Sequence, residues 1–412
     1  QIIIHKRGYM DTTTLDHIDK VIEQYQLPEV TLSLILGKNI DHGRSAGIFT
    51  PYDLNKIKSY IDKVLKLPYQ KDTIIELLGY EDINISQISA ETIQTLFLNM
   101  RTHAFEWQKI EYSVKQQAID LEITGREITS TGEQLLAFIN KMPIIKKINR
   151  KIEDITPEEL SSIKYSTQDK KVSKQLVAIL ESMKNDINEQ YNNTLKIKNM
   201  IYDFRIEIVG GENSKGNICH SIYYDIINKK KYINDFFDNS DDSLNEQRIL
   251  LENEIEILKK EYQHFVKLAF TGLAFGIIGV IITGGIFGSK AEKIRKKRNE
   301  TIEQLHNINK GIKQQSTISE CLQRFQVDLD EIEQYIEDAD MSVEHLLYMW
   351  QTILTEINAS LINFKKIDNA MELIRFSIYL EKIIAPWYMV VGYSKEMMAV
   401  FDEALSSFYS SK

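Results

Sequence analysis

Apolar side chains recur along this chain at three- and four-residue steps, the spacing of one face of an α-helix. Leu54, Ile57 and Ile61 follow Thr50-Pro51-Tyr52-Asp53, an N-cap, a first-turn proline and a first-turn acid, so a helix is expected from residue 51 until Pro68 stops it. A short helix is expected from Ser86 to Phe97, and a longer one from about Thr102 to Lys141 on Ile110, Val114, Ala118, Leu121, Ile128, Leu135 and Ile139. Gly125 and Gly132 share one face of it, which suits close approach of another backbone. Thr156-Pro157-Glu158-Glu159 starts a helix predicted to run to Val209 on Leu176, Leu180, Met183, Ile187 and Ile201. The polar stretch GGENSKG, residues 210–216, then reads as a turn. Beyond it Leu251, Ile255, Leu258, Tyr262 and Phe265 alternate in steps of four and three, and so do Ile318, Leu322, Phe325, Leu329, Ile332 and Ile336. That is the seam of a coiled coil or a similar bundle. Residues 217–267 would make a rod of roughly 75 Å, and the simplest topology is an antiparallel hairpin of long helices.

One stretch breaks this amphipathic rhythm. From Leu268 to Ser289 there is no charged residue, and eleven positions are Leu, Ile, Val or Phe: Leu268, Phe270, Leu273, Phe275, Ile277, Ile278, Val280, Ile281, Ile282, Ile286 and Phe287. Each favours a bilayer by about 0.3–0.6 kcal/mol, enough for conditional partition and too little for irreversible anchoring. As a single helix the run would reach roughly 33 Å, against a hydrocarbon core of about 30 Å. Its glycines, Gly272, Gly276, Gly279, Gly284, Gly285 and Gly288, disfavour that single helix past Ile282. Folded back on itself the run would dip into a bilayer without crossing it. Gly272 with Gly276, and Gly284 with Gly288, have the spacing that lets membrane helices approach closely. A buried core helix and a permanent transmembrane anchor are the competing readings. At the end of the hairpin, the run would lie far from the main body.

Charge sharpens the picture. The chain carries a formal net charge of −9, which argues against a nucleic-acid partner. Yet Lys290, Lys293, Arg295, Lys296, Lys297 and Arg298 crowd beside the apolar run with Glu292 as the only acid among them, a cluster suited to anionic lipid headgroups. The six prolines leave the whole interval between Pro157 and Pro386 free, as long helices require. Cys219 and Cys321 are far apart and lack metal-ligand spacing. The eight histidines are scattered singly; there is no HExxH, no GxSxG and no calcium loop. TGGIFGSK, residues 283–290, lacks the phosphate-loop spacing. No catalytic residue, metal or cofactor is implied, and an enzyme is not expected. Trp107, Trp350 and Trp387 read as bundle core, and His264 as a satisfied helical residue rather than a pH sensor.

Long helices around one hydrophobic tongue resemble the α-helical pore-forming toxins of the cytolysin A superfamily. AGIFTPYDLNKIKSYI (46–61), EWQKIEYSVKQQAIDLEITGREITSTGEQLLAFINKMP (106–143) and KLAFTGLAFGIIGVIITGGIFGSKAEKIRKK (267–297) are similar to the A components of the Xax/Yax two-component cytotoxins, over most of the chain after about residue 45. The resemblance implies an all-α, elongated rod with a tail bundle, a coiled-coil neck and a hydrophobic tongue at the head. On that plan residues 1–105 are N-terminal tail helices, 106–209 long bundle helices and 217–267 an ascending neck helix. The tongue is 268–289, a returning helix covers 290–340, and C-terminal tail helices cover 341–412. The implied function is a secreted subunit that binds lipids of a target-cell membrane through the tongue and recruits a second helical component, the B subunit, into a hetero-oligomeric pore. A secreted translocator-type protein and a resident membrane-anchored coiled-coil scaffold are the alternatives.

Overall fold

The computed structural model describes residues 21–22, 24–36, 48–78, 86–148, 155–237, 242–274, 280–281, 293–305 and 317–410. It is an all-α rod, and its first helices form where local chemistry starts and stops them. After β1 (Val21–Ile22) and α1 (Leu27–Ile35) comes α2 (Pro51–Leu65). The Thr50 hydroxyl accepts from the Asp53 N–H at 3.1 Å, and the Asp53 carboxylate accepts from the Thr50 N–H at 2.9 Å, a reciprocal cap. A short α3 (Lys71–Leu78) precedes α4 (Ala90–Lys141), whose 52 residues reach roughly 78 Å. Here the structure joins what the sequence divides: the expected short helix near 86–97 and the one from residue 102 are a single element. Its buried stripe runs unbroken through Phe97, Met100, His103, Ala104 and Trp107.

The opposite happens at Thr156. Its predicted cap is present, with Glu159 as reciprocal partner, but the helix it starts after α5 (Pro143–Lys146) is only α6 (Pro157–Ser162). The chain then extends, Lys164 bridging to Asn369 and the Tyr165 N–H donating to the Asp368 carbonyl at 2.7 Å. Ser166 and Asp169 form a third reciprocal cap and start α7 (Thr167–Val209). Gly210 ends it at φ 82°, a conformation open to glycine. The GGENSKG turn becomes a minimal hairpin, β2 (Gly211–Glu212) against β3 (Ile218–Cys219).

The second half holds α8 (Ile222–Phe237), α9 (Asp242–Ala274), β4 (Val280–Ile281), α10 over 293–305, α11 (Thr317–Phe364), α12 (Ala370–Ile384) and α13 (Trp387–Ser410). The 48 residues of α11 run antiparallel to α7, as Arg205–Glu333, Lys198–Glu344 and Lys365–Glu181 mark along their length. α13 lies antiparallel on α4, Lys115 meeting Asp402. The two glycines of α4 face these C-terminal helices, Gly125 under α13 and Gly132 under the end of α12. A Cβ on Gly132 would fall 2.2 Å from Ile384 Cδ1, and one on Gly125 would fall 3.0 Å from Val391 Cγ2. They are places of close packing, as the sequence suggests. All three tryptophans are core, with Trp350 stacked on Trp387 at 5.8 Å.

His103 shows how dry this core is. Its Nε2–H donates to the Phe204 carbonyl at 3.1 Å, its Nδ1 accepts from the Tyr60 hydroxyl at 3.2 Å, and its ring stacks on Phe204. Burial disfavours the imidazolium and pushes the pKa down to about 4. A histidine whose folded pKa is depressed stabilises the fold above its unfolded pKa, and that stability is lost as pH falls through the folded value. His103 thus contributes up to about 3 kcal/mol near neutrality that is gone by pH 4. His103→Gln keeps both hydrogen-bonding ends and does not titrate. Its melting temperature is expected to fall less than the wild type's between pH 7 and pH 4.5, as read by circular dichroism.

The seams predicted on the two flanks of the apolar run are real. Ile255, Leu258 and Tyr262 are buried, and so are Ile318, Leu322, Phe325, Leu329, Ile332 and Ile336. Their arrangement differs from the expected hairpin. Residues 217–267 are not one rod but two helices, α8 and α9, on either side of the helix-breaking sequence Asp-Asn-Ser-Asp at 238–241. Lys230 of α8 meets Gln323 and Gln326 while Tyr223 meets Asp330, so α8 is antiparallel to α11. Lys259 meets Glu333 and Tyr262 meets Asp338, so α9 is parallel to it. α11 also continues without a break through residues 340 and 341.

Candidate membrane-attachment site

The apolar run lies between α9 and α10, which pack together on the N-terminal half of α11. Ile255, Ile302, Leu305 and Val327 form a small apolar cluster there, separate from the main core. Leu268, Phe270, Gly272 and Leu273 belong to the last turns of α9, which ends at Ala274. Val280 and Ile281 form β4, antiparallel to β1, with Ile281 opposite Val21 and Val280 opposite Ile22. Phe275, Gly276, Ile277, Ile278, Gly279, Ile282, Gly284, Gly285, Ile286, Phe287, Gly288 and Lys290 lie outside the described residues.

Two findings follow. Helix ends at Ala274 and extended backbone is present by Val280, so residues 268–289 are not one continuous helix. Among the described residues no helix is long and apolar enough to cross a membrane. The middle of the run is also not far from the body, as the hairpin topology would have it. It pairs with a segment near the start of the chain, where Val-Ile meets Ile-Val in an antiparallel ladder.

The basic cluster divides. Lys293 and Lys296 are exposed. Lys297 is exposed too and pairs with Glu254 at 2.8 Å; the hydrogen bond to that carboxylate raises its pKa. Arg295 and Arg298 turn inward in this structure. Arg295 lies 4.0 Å from Asp53, the acid of the α2 cap. Arg298 is 1% exposed and donates from Nη2 to the Asp330 carbonyl at 3.0 Å, while its Nε and Nη1 have no hydrogen-bond partner among the described residues. The physical reason is on α11: Asp330 is half-buried near Arg298 and Lys259, and an unaccompanied carboxylate there would be costlier.

α11 is thus the partner that the sequence reading missed. Burial pushes the Asp330 carboxyl up to about 7 in spite of Arg298 and Lys259. Burial also works against ionised Glu333, but Lys259 at 2.5 Å and Arg205 at 2.8 Å outweigh it and hold this carboxyl below its usual range. Glu337 accepts from Gln263 at 2.6 Å and pairs with Arg205 at 3.4 Å; burial raises its pKa. Asp338 accepts from the Tyr262 hydroxyl. The signal was present in DLDEIEQYIEDAD, residues 328–340. Asp330, Glu333, Glu337 and Asp340 repeat at steps of three and four, immediately beside the apolar seam. Among the described residues no group of histidine, cysteine or acidic side chains could hold a metal ion, and Cys219 and Cys321 are free thiols.

No family model and no curated protein matches the chain. Solved structures do. XaxA from Xenorhabdus nematophila is 32% identical, over 88% of this chain and 100% of that one, with a TM-score of 0.48. YaxA from Yersinia enterocolitica is 33% identical over 88% and 100%, with a TM-score of 0.49. A chain of the XaxAB pore complex from Xenorhabdus nematophila is 37% identical over 88% and 100%, with a TM-score of 0.46. The kinship rests on identity carried along the whole length of those chains. On that identity, this chain belongs to the XaxA and YaxA family of α-helical pore-forming toxin components.

Proposed function

We propose that this protein is the membrane-attaching subunit of a two-component pore-forming cytotoxin. In this reading it is secreted in a water-soluble form and attaches to a target-cell membrane through residues 268–289. It then recruits a second helical component that lines a hetero-oligomeric pore. The observation that carries the reading is the combination of two features. One is identity along the full length of XaxA, a protein also found in a XaxAB pore complex. The other is a 22-residue uncharged run flanked by basic residues. Lys293, Lys296 and Lys297, with Lys290 of the sequence, would meet lipid headgroups. A run broken by glycines suits a shallow dip better than a span. The tail would comprise residues 1–105 and 341–412, with the remaining helices as bundle, neck and head.

Vesicle flotation and dye release test this division of labour. The chain alone is expected to float with vesicles made from target-cell lipid extract and to release no trapped dye. Release should follow only when a second component is added. Dye release by the chain alone would overturn the attachment-only role, and absence of flotation would overturn the attachment.

A further inference from the structure

Among the described residues, the α9–α10 arm meets the body through a small apolar cluster of Ile255, Ile302, Leu305 and Val327, beside buried Leu258 and Tyr262. Its polar contacts are many and mostly shielded from water. Lys259 reaches Glu333, Gln263 reaches Glu337 and Tyr262 reaches Asp338, while Arg298 sits over Asp330 and Arg295 beside Asp53. Such an interface is intrinsically close to balance, because each desolvated charge costs nearly what its partner returns. Arg298 is the extreme case: almost wholly buried, with two of its three nitrogens unsatisfied among the described residues. Undocking would give that guanidinium back its full set of hydrogen bonds.

The arm also connects directly to the apolar run at both ends, at Ala274 and at residue 293. Arg295 and Arg298, the inward pair, belong to the same basic cluster as the outward Lys293 and Lys296. The cations that would serve at a lipid surface are therefore in use inside the folded molecule.

We propose that the α9–α10 arm is an electrostatic latch. It is closed in solution because Glu333 of α11 holds Lys259, Asp53 of α2 lies beside Arg295 and the Asp330 main-chain carbonyl accepts from Arg298, and it opens at an anionic lipid surface that competes for the same cations. This rests on the attachment reading and adds its trigger. Contact begins through Lys293 and Lys296, which already face outward. Headgroup phosphates and carboxylates then replace the Asp53 carboxylate beside Arg295 and the Asp330 main-chain carbonyl beneath Arg298. A ligand shifts such an equilibrium only through its preference for one state, and here the open state offers two arginines that the closed state withholds.

Zero-length carbodiimide crosslinking reads the latch directly, because Lys259 and Glu333 are within bonding reach only when it is closed. Lys115–Asp402 and Lys365–Glu181 serve as internal controls in the body. The Lys259–Glu333 crosslink is expected in buffer and with phosphatidylcholine vesicles. It should fall about tenfold against both controls on vesicles containing phosphatidylserine. Glu333→Gln should float at a lower phosphatidylserine content than Glu320→Gln, which removes the same charge from an exposed site on α11. An undiminished crosslink on vesicles that carry the protein overturns the latch, and so does equal flotation of the two variants. If the wild type floats on no vesicle, the attachment reading has failed, and the lipid trigger falls with it.

Discussion

Ile277→Asp with Ile281→Asp is expected to abolish membrane attachment while leaving the helical content of the protein intact. An acidic side chain at the centre of a membrane-inserted helix costs about 2.5–3.5 kcal/mol, so two cost about 5–7 kcal/mol. The whole run supplies only a few kcal/mol of favourable partition. The pair therefore erases it, and the apparent vesicle affinity should fall by roughly four powers of ten. Flotation at a series of lipid concentrations measures the loss, and far-ultraviolet circular dichroism checks the fold. Flotation equal to the wild type's would remove the run from the attachment site. A variant that instead loses its helix signal would mark the run as buried core, the competing reading of the sequence.

Trp387→Ala is expected to do the reverse: a large loss of stability with no effect on lipid affinity in the protein that remains folded. Trp387 opens α13, is 1% exposed and stacks on Trp350 of α11. It also lies 3.7 Å from the position a Cβ would take on Gly125 of α4, so one ring joins three long helices. Deleting a buried tryptophan costs about 3–5 kcal/mol, because the side chain is lost and the rigid bundle does not close over the hole. In a chain of 412 residues that should lower the melting temperature by roughly 5 °C, as scanning calorimetry would record. A change within a degree or two would mean that α13 does not contribute to the stability of the bundle.

The contrast between these variants reflects two kinds of contact. The α4–α7–α11–α13 bundle is a continuous apolar core, with Trp107, Trp350, Trp387, Phe204 and Phe364 all buried. The arm that carries the run adds a second, smaller cluster and a set of ion pairs. Stability concentrated in one region leaves another free to rearrange at small cost. A subunit that must remain folded while it changes its relation to a membrane is served by that division.

The resemblance read from residues 46–61, 106–143 and 267–297 agrees with the 32–37% identity to XaxA, YaxA and the XaxAB chain. Single residues tell more than the overall agreement. Thr50 and Thr156 cap helices where the sequence places them, Gly125 and Gly132 sit at close contacts, and Gly210 stops α7. Each of these depends on neighbours within about four residues or on the absence of a side chain, and both are written in the chain. The lengths were less legible. Nothing local announces that α4 continues across residues 97–102, nor that Lys164 and Tyr165 leave helical geometry to bond Asn369 and Asp368, some two hundred residues away.

By itself, then, the sequence determined the helical class, the caps, the buried seams and the one uncharged run. These follow from periodicity and from hydrogen bonds closed within a turn or two. Only the tertiary structure decided that α8 and α9 run in opposite directions along α11, that Val280 and Ile281 pair with Val21 and Ile22, and that Arg295 and Arg298 turn inward. A lysine or arginine has the same letter whether it faces water or a buried carboxylate. Which it does is fixed by the desolvation cost of partners far away in sequence, such as Asp53 and Asp330, and no local pattern records that cost.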